Sequence, residues 1–99
     1  MEQEAELSGM RILVVEDEIL VAMASADLLA DSGCTVAGPV SSVKQGMQLI
    51  EQEVIDGAIL DINLRGEMVF PLADALAERS IPFVYVTGYG KLLRACNHG

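Results

Sequence analysis

The chain has 99 residues, enough for one domain, and 52% of them are apolar, enough for a buried sheet. The formal net charge of −9 argues against direct binding to nucleic acid or to an anionic membrane surface. No apolar stretch approaches the roughly 20 residues that span a bilayer, and two cysteines with one histidine give no zinc-binding pattern.

The polar, acid-rich residues 1–9 are unlike a secretory signal, and we expect them to form a mobile leader before a single domain over residues 10–99. Cys34 and Cys96 lie far apart in the sequence. We interpret them as inert thiols, with a disulfide or a redox switch as the alternative. These features together predict a cytoplasmic protein.

The first third of the chain predicts a strand, a helix and a second strand. Met10–Val15 is a short apolar run typical of a buried strand. Ile19–Ser32 has helical spacing and ends before Gly33, a natural helix terminator. Cys34–Ala37 predicts a short strand that Gly38-Pro39 breaks. The residues of this helix that we expect to recur on its apolar face are Leu20, Met23, Ala24, Leu28 and Leu29; the methionines Met23 and Met47 and the leucines are interpreted as core.

The middle of the chain predicts a capped helix, a strand and a loop. Ser41 or Ser42 can cap a second helix that ends at Glu51-Gln52-Glu53. Asp56–Leu60 is the third apolar run and predicts the third strand. Asp61–Glu67 is expected to be a loop.

The remainder predicts a helix, a fourth strand and a short tail. Val69–Arg79 reads as a third helix, and Pro71 suits its first turn. Phe83–Val86 predicts the fourth strand, Thr87–Gly90 a glycine-rich turn, and Lys91–Cys96 one or two turns of helix. The apolar positions expected to face inward from the third helix are Leu72, Ala73, Leu76 and Ala77.

Alternating strands and helices predict an α/β fold with a doubly wound parallel sheet. The expected strand order is 2-1-3-4, which places the switch point between the first and third strands. Asp17 and Asp61 would meet at that point, because each follows one of these two strands.

Three carboxylates and a hydroxyl follow the apolar runs: Glu16, Asp17, Asp61 and Thr87. Such an acidic edge suits Mg²⁺, which prefers oxygen ligands, and a carboxylate can also accept a phosphoryl group as a nucleophile. Simpler roles exist for each residue alone. A lone Asp61 could shape a turn and Thr87 could cap a helix. Glu18 is better explained as a first-turn acid favoured by the helix dipole.

Two sequence segments and one threonine bear a family resemblance. Ile12–Glu18, Ile59–Leu64 and the spacing of Thr87 resemble the receiver domain of bacterial two-component response regulators, over nearly all of Met10–Gly90. The resemblance implies a flavodoxin-like receiver fold. Pro82–Gly90 also looks like the PFxFATGYG signature of an atypical receiver subgroup.

The resemblance implies a role for each matching residue. Asp61 would be the phosphoacceptor, and Glu16 and Asp17 would bind Mg²⁺ together with Asp61 and the main-chain carbonyl of Asn63. Thr87 would be the switch hydroxyl. The phosphoryl donor would be a phosphohistidine on a histidine kinase or a phosphotransfer protein.

The chain departs from the family pattern after the fourth strand. The expected fifth strand, its terminal lysine and the last helix are not found within 99 residues, so the receiver reads as C-terminally truncated. The only lysines are Lys44, in the second helix, and Lys91, which does not match the family lysine by position. An uncovered fourth strand predicts a homodimer formed through that strand or the C-terminal tail.

Three functions remain open from the sequence. The first is a phosphoaccepting signalling module that acts through a downstream protein partner. The second is a constitutive protein-interaction module that no longer switches on phosphorylation. The third is a small phosphatase with an aspartyl nucleophile, which we disfavour because position 63 is Asn where such enzymes use an acid–base Asp. We therefore expect no enzyme activity beyond slow self-dephosphorylation.

Overall fold

The computed structural model describes residues 8–86 as a parallel sheet flanked by helices. The sheet strands are β1 (Arg11–Val15), β2 (Thr35–Val40), β3 (Gly57–Asp61) and β6 (Phe83–Val86), in the order β2-β1-β3-β6. The helices are α1 (Ile19–Asp31), α2 (Val43–Gln52) and α3 (Phe70–Glu78), and the two-residue strands β4 (Asn63–Leu64) and β5 (Glu67–Met68) form a hairpin. The predicted doubly wound α/β fold and strand order are confirmed, β6 being the predicted fourth strand.

Several predictions fall outside residues 8–86. They concern most of the leader, the turn at Thr87–Gly90 and the helical turns at Lys91–Cys96. Of the predicted leader, Ser8 and Gly9 are described, and the N–H of Gly9 donates to the carbonyl of Gly33 at 2.9 Å. Within residues 8–86, no helix is both long enough and apolar enough to cross a membrane.

The main core lies between the sheet and the pair α2 and α3. Leu13 and Val15 alternate with residues of the opposite sheet face, as a strand requires, and pack with Leu60 beneath the two helices. The helices approach closely at Gly46, where a Cβ would lie only 2.6 Å from Cδ2 of the fully buried Leu72. This side of the sheet is therefore tightly packed.

Helix α1 packs against β1 and β2, and most of its large apolar residues are in solvent. Ala22 is its one buried residue, whereas Leu20 is 81% exposed. The prediction that Met23 and the leucines of this helix are core was wrong for Leu20, Met23 and Leu28, all of which are exposed. The reason is that α1 is apolar almost all round, and the sheet can cover only one of its faces.

Two helices end with the hydrogen-bond pattern of a Schellman motif. After α1, the N–H of Gly33 donates to Ala30 and that of Cys34 donates to Leu29, with Gly33 at φ +89°. After α3, the N–H of Ser80 donates to Ala77, and Ser80 itself adopts φ +59°. The predicted role of Gly33 is confirmed, and Ser80 is a non-glycine residue in the same left-handed position.

Three local predictions need correction. The second strand does not end at Gly38-Pro39 but continues to Val40. Strand β2 lies at the edge of the sheet, and its pairing with β1 is irregular at this point. A proline is tolerated there because its missing N–H removes no hydrogen bond between the strands. The segment predicted as a loop after β3 contains the β4–β5 hairpin. The hairpin is joined to the start of α2 by a hydrogen bond from the N–H of Val43 to Oε1 of Glu67. Ala77 is exposed, while its neighbours Leu72, Ala73 and Leu76 face inward.

Candidate phosphoacceptor and metal site

Strands β1 and β3 bring three carboxylates together at the carboxyl edge of the sheet. The two strands are parallel neighbours, with Val15 paired to Leu60, so the residues that follow each pair emerge side by side. One carboxylate oxygen from each of Glu16, Asp17 and Asp61 lies within 4.8 Å of the other two. The predicted meeting of these side chains is confirmed in the geometry.

Burial disfavours negative charge in this cluster. Glu16 is 4% exposed and Asp61 is 3% exposed. Burial raises the pKa of Glu16 to about 7; a hydrogen bond from the N–H of Glu18 opposes this rise, and the nearby Asp61 and Asp17 add to it. Burial also raises the pKa of Asp61, and hydrogen bonding with the Glu16 side chain lowers it in part. The pocket therefore resists holding all three carboxylates ionised without a cation.

Within the described part of the chain, the hydrogen bonds of the cluster leave one buried oxygen without a partner. Oε2 of Glu16 accepts from the N–H of Glu18 at 3.0 Å, and Oδ1 of Asp61 accepts from the N–H of Asn63 at 3.4 Å. Oε1 of Glu16 is buried and accepts no hydrogen bond from residues 8–86. A buried polar atom without a partner is costly, so a bound cation would stabilise this arrangement.

These residues suit Mg²⁺. The donor set is hard carboxylate oxygen, the ligand type that Mg²⁺ prefers. Glu16, Asp17 and Asp61 would hold the ion, since one oxygen of each lies within 4.8 Å of the other two. The Glu16 oxygen that accepts no hydrogen bond among the described residues and the raised pKa values both favour a bound cation.

The pocket around the cluster holds most of the predicted site residues and one that sequence reasoning missed. It has a volume of about 270 Å³ and includes Asn63 and Arg65 in its wall. Asn63, predicted as a main-chain ligand, is thus beside Asp61. Arg65 donates from Nε to Oδ2 of Asp17 at 3.2 Å. The only sequence signal for Arg65 is its position, four residues after Asp61 and directly before Gly66. The remaining predicted site residue, Thr87, lies outside the described residues.

A family model described as the response regulator receiver domain matches residues 12–97. The chain belongs to this family. The match includes both acidic segments and every residue predicted for the site. The recognition made from the sequence is therefore confirmed at the level of the family.

Several receiver-containing proteins are similar to this chain. SdrG from Sphingomonas melonis Fr1 is 48% identical with a TM-score of 0.75, covering 80% of this chain and 68% of that one. The response regulator PhyR from Brucella abortus is 25% identical with a TM-score of 0.72, covering 84% of this chain and 36% of PhyR. The transcriptional regulatory protein PdtaR from Mycobacterium tuberculosis is 26% identical over 82 residues; the match covers 82% of this chain but only 40% of PdtaR.

Proposed function

We propose that this receiver domain accepts a phosphoryl group on Asp61, with Mg²⁺ held by Glu16, Asp17 and Asp61. The observation that carries the proposal is the buried Asp61 carboxylate beside two further carboxylates at the sheet's switch point. The relative SdrG has a solved BeF3-activated conformation, at 46% identity to this chain. BeF3 imitates a phosphoryl group chemically, which supports the same chemistry here.

The proposed transfer forms one bond and breaks another. A carboxylate oxygen of Asp61 bonds to phosphorus while the phosphorus–nitrogen bond of a phosphohistidine breaks. The imidazole nitrogen keeps the electron pair of the broken bond and takes a proton from solvent. Mg²⁺ would supply the positive charge that the incoming phosphoryl group needs. The N–H of Asn63 holds Oδ1 of Asp61, so the carboxylate is oriented by its own loop.

Mass spectrometry tests the assignment of Asp61. The protein is incubated with MgCl2 and acetyl phosphate, and we expect a mass gain of one phosphoryl group. Asp61→Asn should abolish the gain, whereas the exposed helix residue Asp74 provides a matched control, Asp74→Asn, that should label as wild type does. Labelling of Asp61→Asn at the wild-type rate would refute the assignment. No gain in the wild type would favour the constitutive interaction module.

We propose an acceptor role without turnover of external substrates. Asn63 stands two residues after Asp61, where a phosphatase with an aspartyl nucleophile needs a carboxyl group. Its side-chain Oδ1 accepts a hydrogen bond from the N–H of Gly66 at 2.6 Å, so this side chain takes part in the hairpin turn. A cytoplasmic location and the switch role of Thr87 stay predictions.

The outer face of α1 is the proposed docking surface for the protein phosphodonor. Its exposed Ile19 and Met23 line a cavity of about 320 Å³ with Glu16 and Asp17, and Leu20 is exposed on the same helix. A helical donor with an apolar stripe and basic flanks would complement this surface. Leu20→Gln should slow labelling by a phosphorylated histidine phosphotransfer protein and leave labelling by acetyl phosphate unchanged; equal slowing of both would contradict docking.

Self-association through β6 is a separate proposal. Among the described residues, β6 is hydrogen-bonded only to β3, so its other edge is open to a second chain. Val84 is exposed on this strand, and the ring of Tyr85 stands edge-on to Phe83 and Phe70 at centroid distances of 5.5 and 6.0 Å. Sedimentation velocity should show a dimer that Val84→Lys weakens; a wild-type monomer at high micromolar concentration would exclude it.

A further inference from the structure

The turn of the β4–β5 hairpin places an arginine in an unfavourable backbone conformation. Leu64 pairs with Glu67, so Arg65 and Gly66 are the two loop residues. Their φ angles are +57° and +91°, which is the pattern of a type I′ turn and favours Asn-Gly. An arginine in the left-handed region is strained relative to asparagine or glycine. The arginine is therefore not explained by the needs of the turn.

The hairpin is held firmly enough to keep this conformation. Gly66 donates its N–H to Oδ1 of Asn63 at 2.6 Å, and Leu64 is buried. Oε1 of Glu67 accepts from the N–H of Val43 at the start of α2, at 3.2 Å. These contacts hold the turn beside the acidic pocket, where Arg65 and Gly66 form part of the wall.

Arg65 contacts the carboxylate cluster directly. Its Nε lies 3.2 Å from Oδ2 of Asp17, and the two side chains are 81% and 13% exposed. It is the only basic residue that lines the pocket formed by the described residues around Asp61. The guanidinium of Arg65 thus offsets part of the negative charge of the carboxylate cluster. A divalent cation that uses Asp17 must share that carboxylate with the guanidinium or displace it.

We infer that Arg65 is a tethered counter-ion that competes with Mg²⁺ for Asp17 and so sets the cation affinity of the receiver pocket. The inference rests on the proposed metal site and extends it to a residue outside the carboxylate set. Arg65 is a positioning residue acting through Asp17. A purely structural role predicts that its loss leaves Mg²⁺ binding unchanged or weakens it, whereas competition predicts tighter binding.

Isothermal titration calorimetry with MgCl2 alone, and no phosphodonor, tests the inference. Arg65→Gln should lower the Mg²⁺ dissociation constant by up to about fivefold, the upper end of the range for loss of an exposed ion pair. Arg65→Lys keeps the charge and should stay within about twofold of wild type, on the same scale of pair energies. Arg79→Gln removes an equal charge from the end of α3, where Arg79 donates to the carbonyl of Ile50, and should have no effect.

A second substitution protects the test against misfolding. Arg65→Asn introduces the residue that the type I′ turn prefers at this position. The variant should therefore unfold at a higher temperature than wild type and still bind Mg²⁺ more tightly than wild type. Unchanged or weaker binding in both the Gln and Asn variants, or an equal gain in Arg79→Gln, would overturn the inference. Because no phosphodonor is present, failure of Asp61 to become phosphorylated would not affect this result.

Discussion

Glu16→Gln gives the sharpest test of the electrostatics of the pocket. The substitution removes a charge that burial makes unfavourable while nearly preserving the size of the side chain. We expect the variant to be more stable than wild type in the absence of divalent cations above neutral pH. The expectation follows from the raised pKa of Glu16 and from its Oε1, which accepts no hydrogen bond from residues 8–86.

The magnitude follows from the difference in pKa between the folded and unfolded states. The pKa of Glu16 rises from 4.5 to about 7 on folding, and each pKa unit corresponds to about 1.4 kcal/mol. The rise of about 2.5 in the pKa sets an upper limit of about 3.5 kcal/mol. Asp61 shares the interaction and also has a raised pKa. We therefore expect about 2 kcal/mol to be attributable to Glu16 alone.

The sign of the pH dependence is fixed by linkage. The folded state holds the Glu16 proton more tightly than the unfolded state, so the extra stability is complete below about pH 4.5 and is lost as the pH rises through about 7. Wild-type protein in EDTA should therefore lose stability between pH 5 and 8. Glu16→Gln should lose about 2 kcal/mol less over the same range. Saturating MgCl2 should reduce the difference, because the cation compensates the charge.

Urea denaturation at pH 5 and pH 8, with EDTA or MgCl2, measures these free energies of unfolding. Glu18→Gln is the matched control, because Glu18 is exposed and its side chain makes no capping hydrogen bond. The control should follow wild type at both pH values. Parallel pH profiles for wild type and Glu16→Gln in EDTA would refute the proposed cost of burying this carboxylate.

Three further substitutions test the packing and the helix ends by urea denaturation. Gly46→Ala should destabilise by about 1 kcal/mol despite a better helix propensity, because its Cβ would press on the buried Leu72; a gain in stability would show that Leu72 moves aside freely. Ser80→Gly should stabilise by about 0.5–1 kcal/mol by relieving the left-handed conformation at φ +59°, and a loss would mean that the serine side chain matters more. Ser42→Ala should cost about 1 kcal/mol, because the Ser42 side chain accepts from the N–H of Gln45; no change would show that the cap is replaced by water.

The sequence by itself determined the sheet and the acidic edge. Short apolar runs separated by helical segments leave few arrangements other than a parallel sheet with right-handed crossovers. Given that sheet, Glu16, Asp17 and Asp61 had to emerge at one edge, because the carboxyl ends of neighbouring parallel strands coincide. These predictions succeeded because strand periodicity and connection handedness are local or nearly universal constraints.

Only the tertiary structure decided which apolar residues are buried and which charge meets the carboxylates. Helix α1 is apolar on several sides, so its sequence could not indicate that Ala22 would face the sheet while Leu20 and Met23 remain in solvent. Arg65 and Asp17 are 48 positions apart, and their contact depends on how the β4–β5 hairpin is anchored to α2. Periodicity reports the burial that a residue prefers, whereas contacts between distant segments depend on how the whole chain packs.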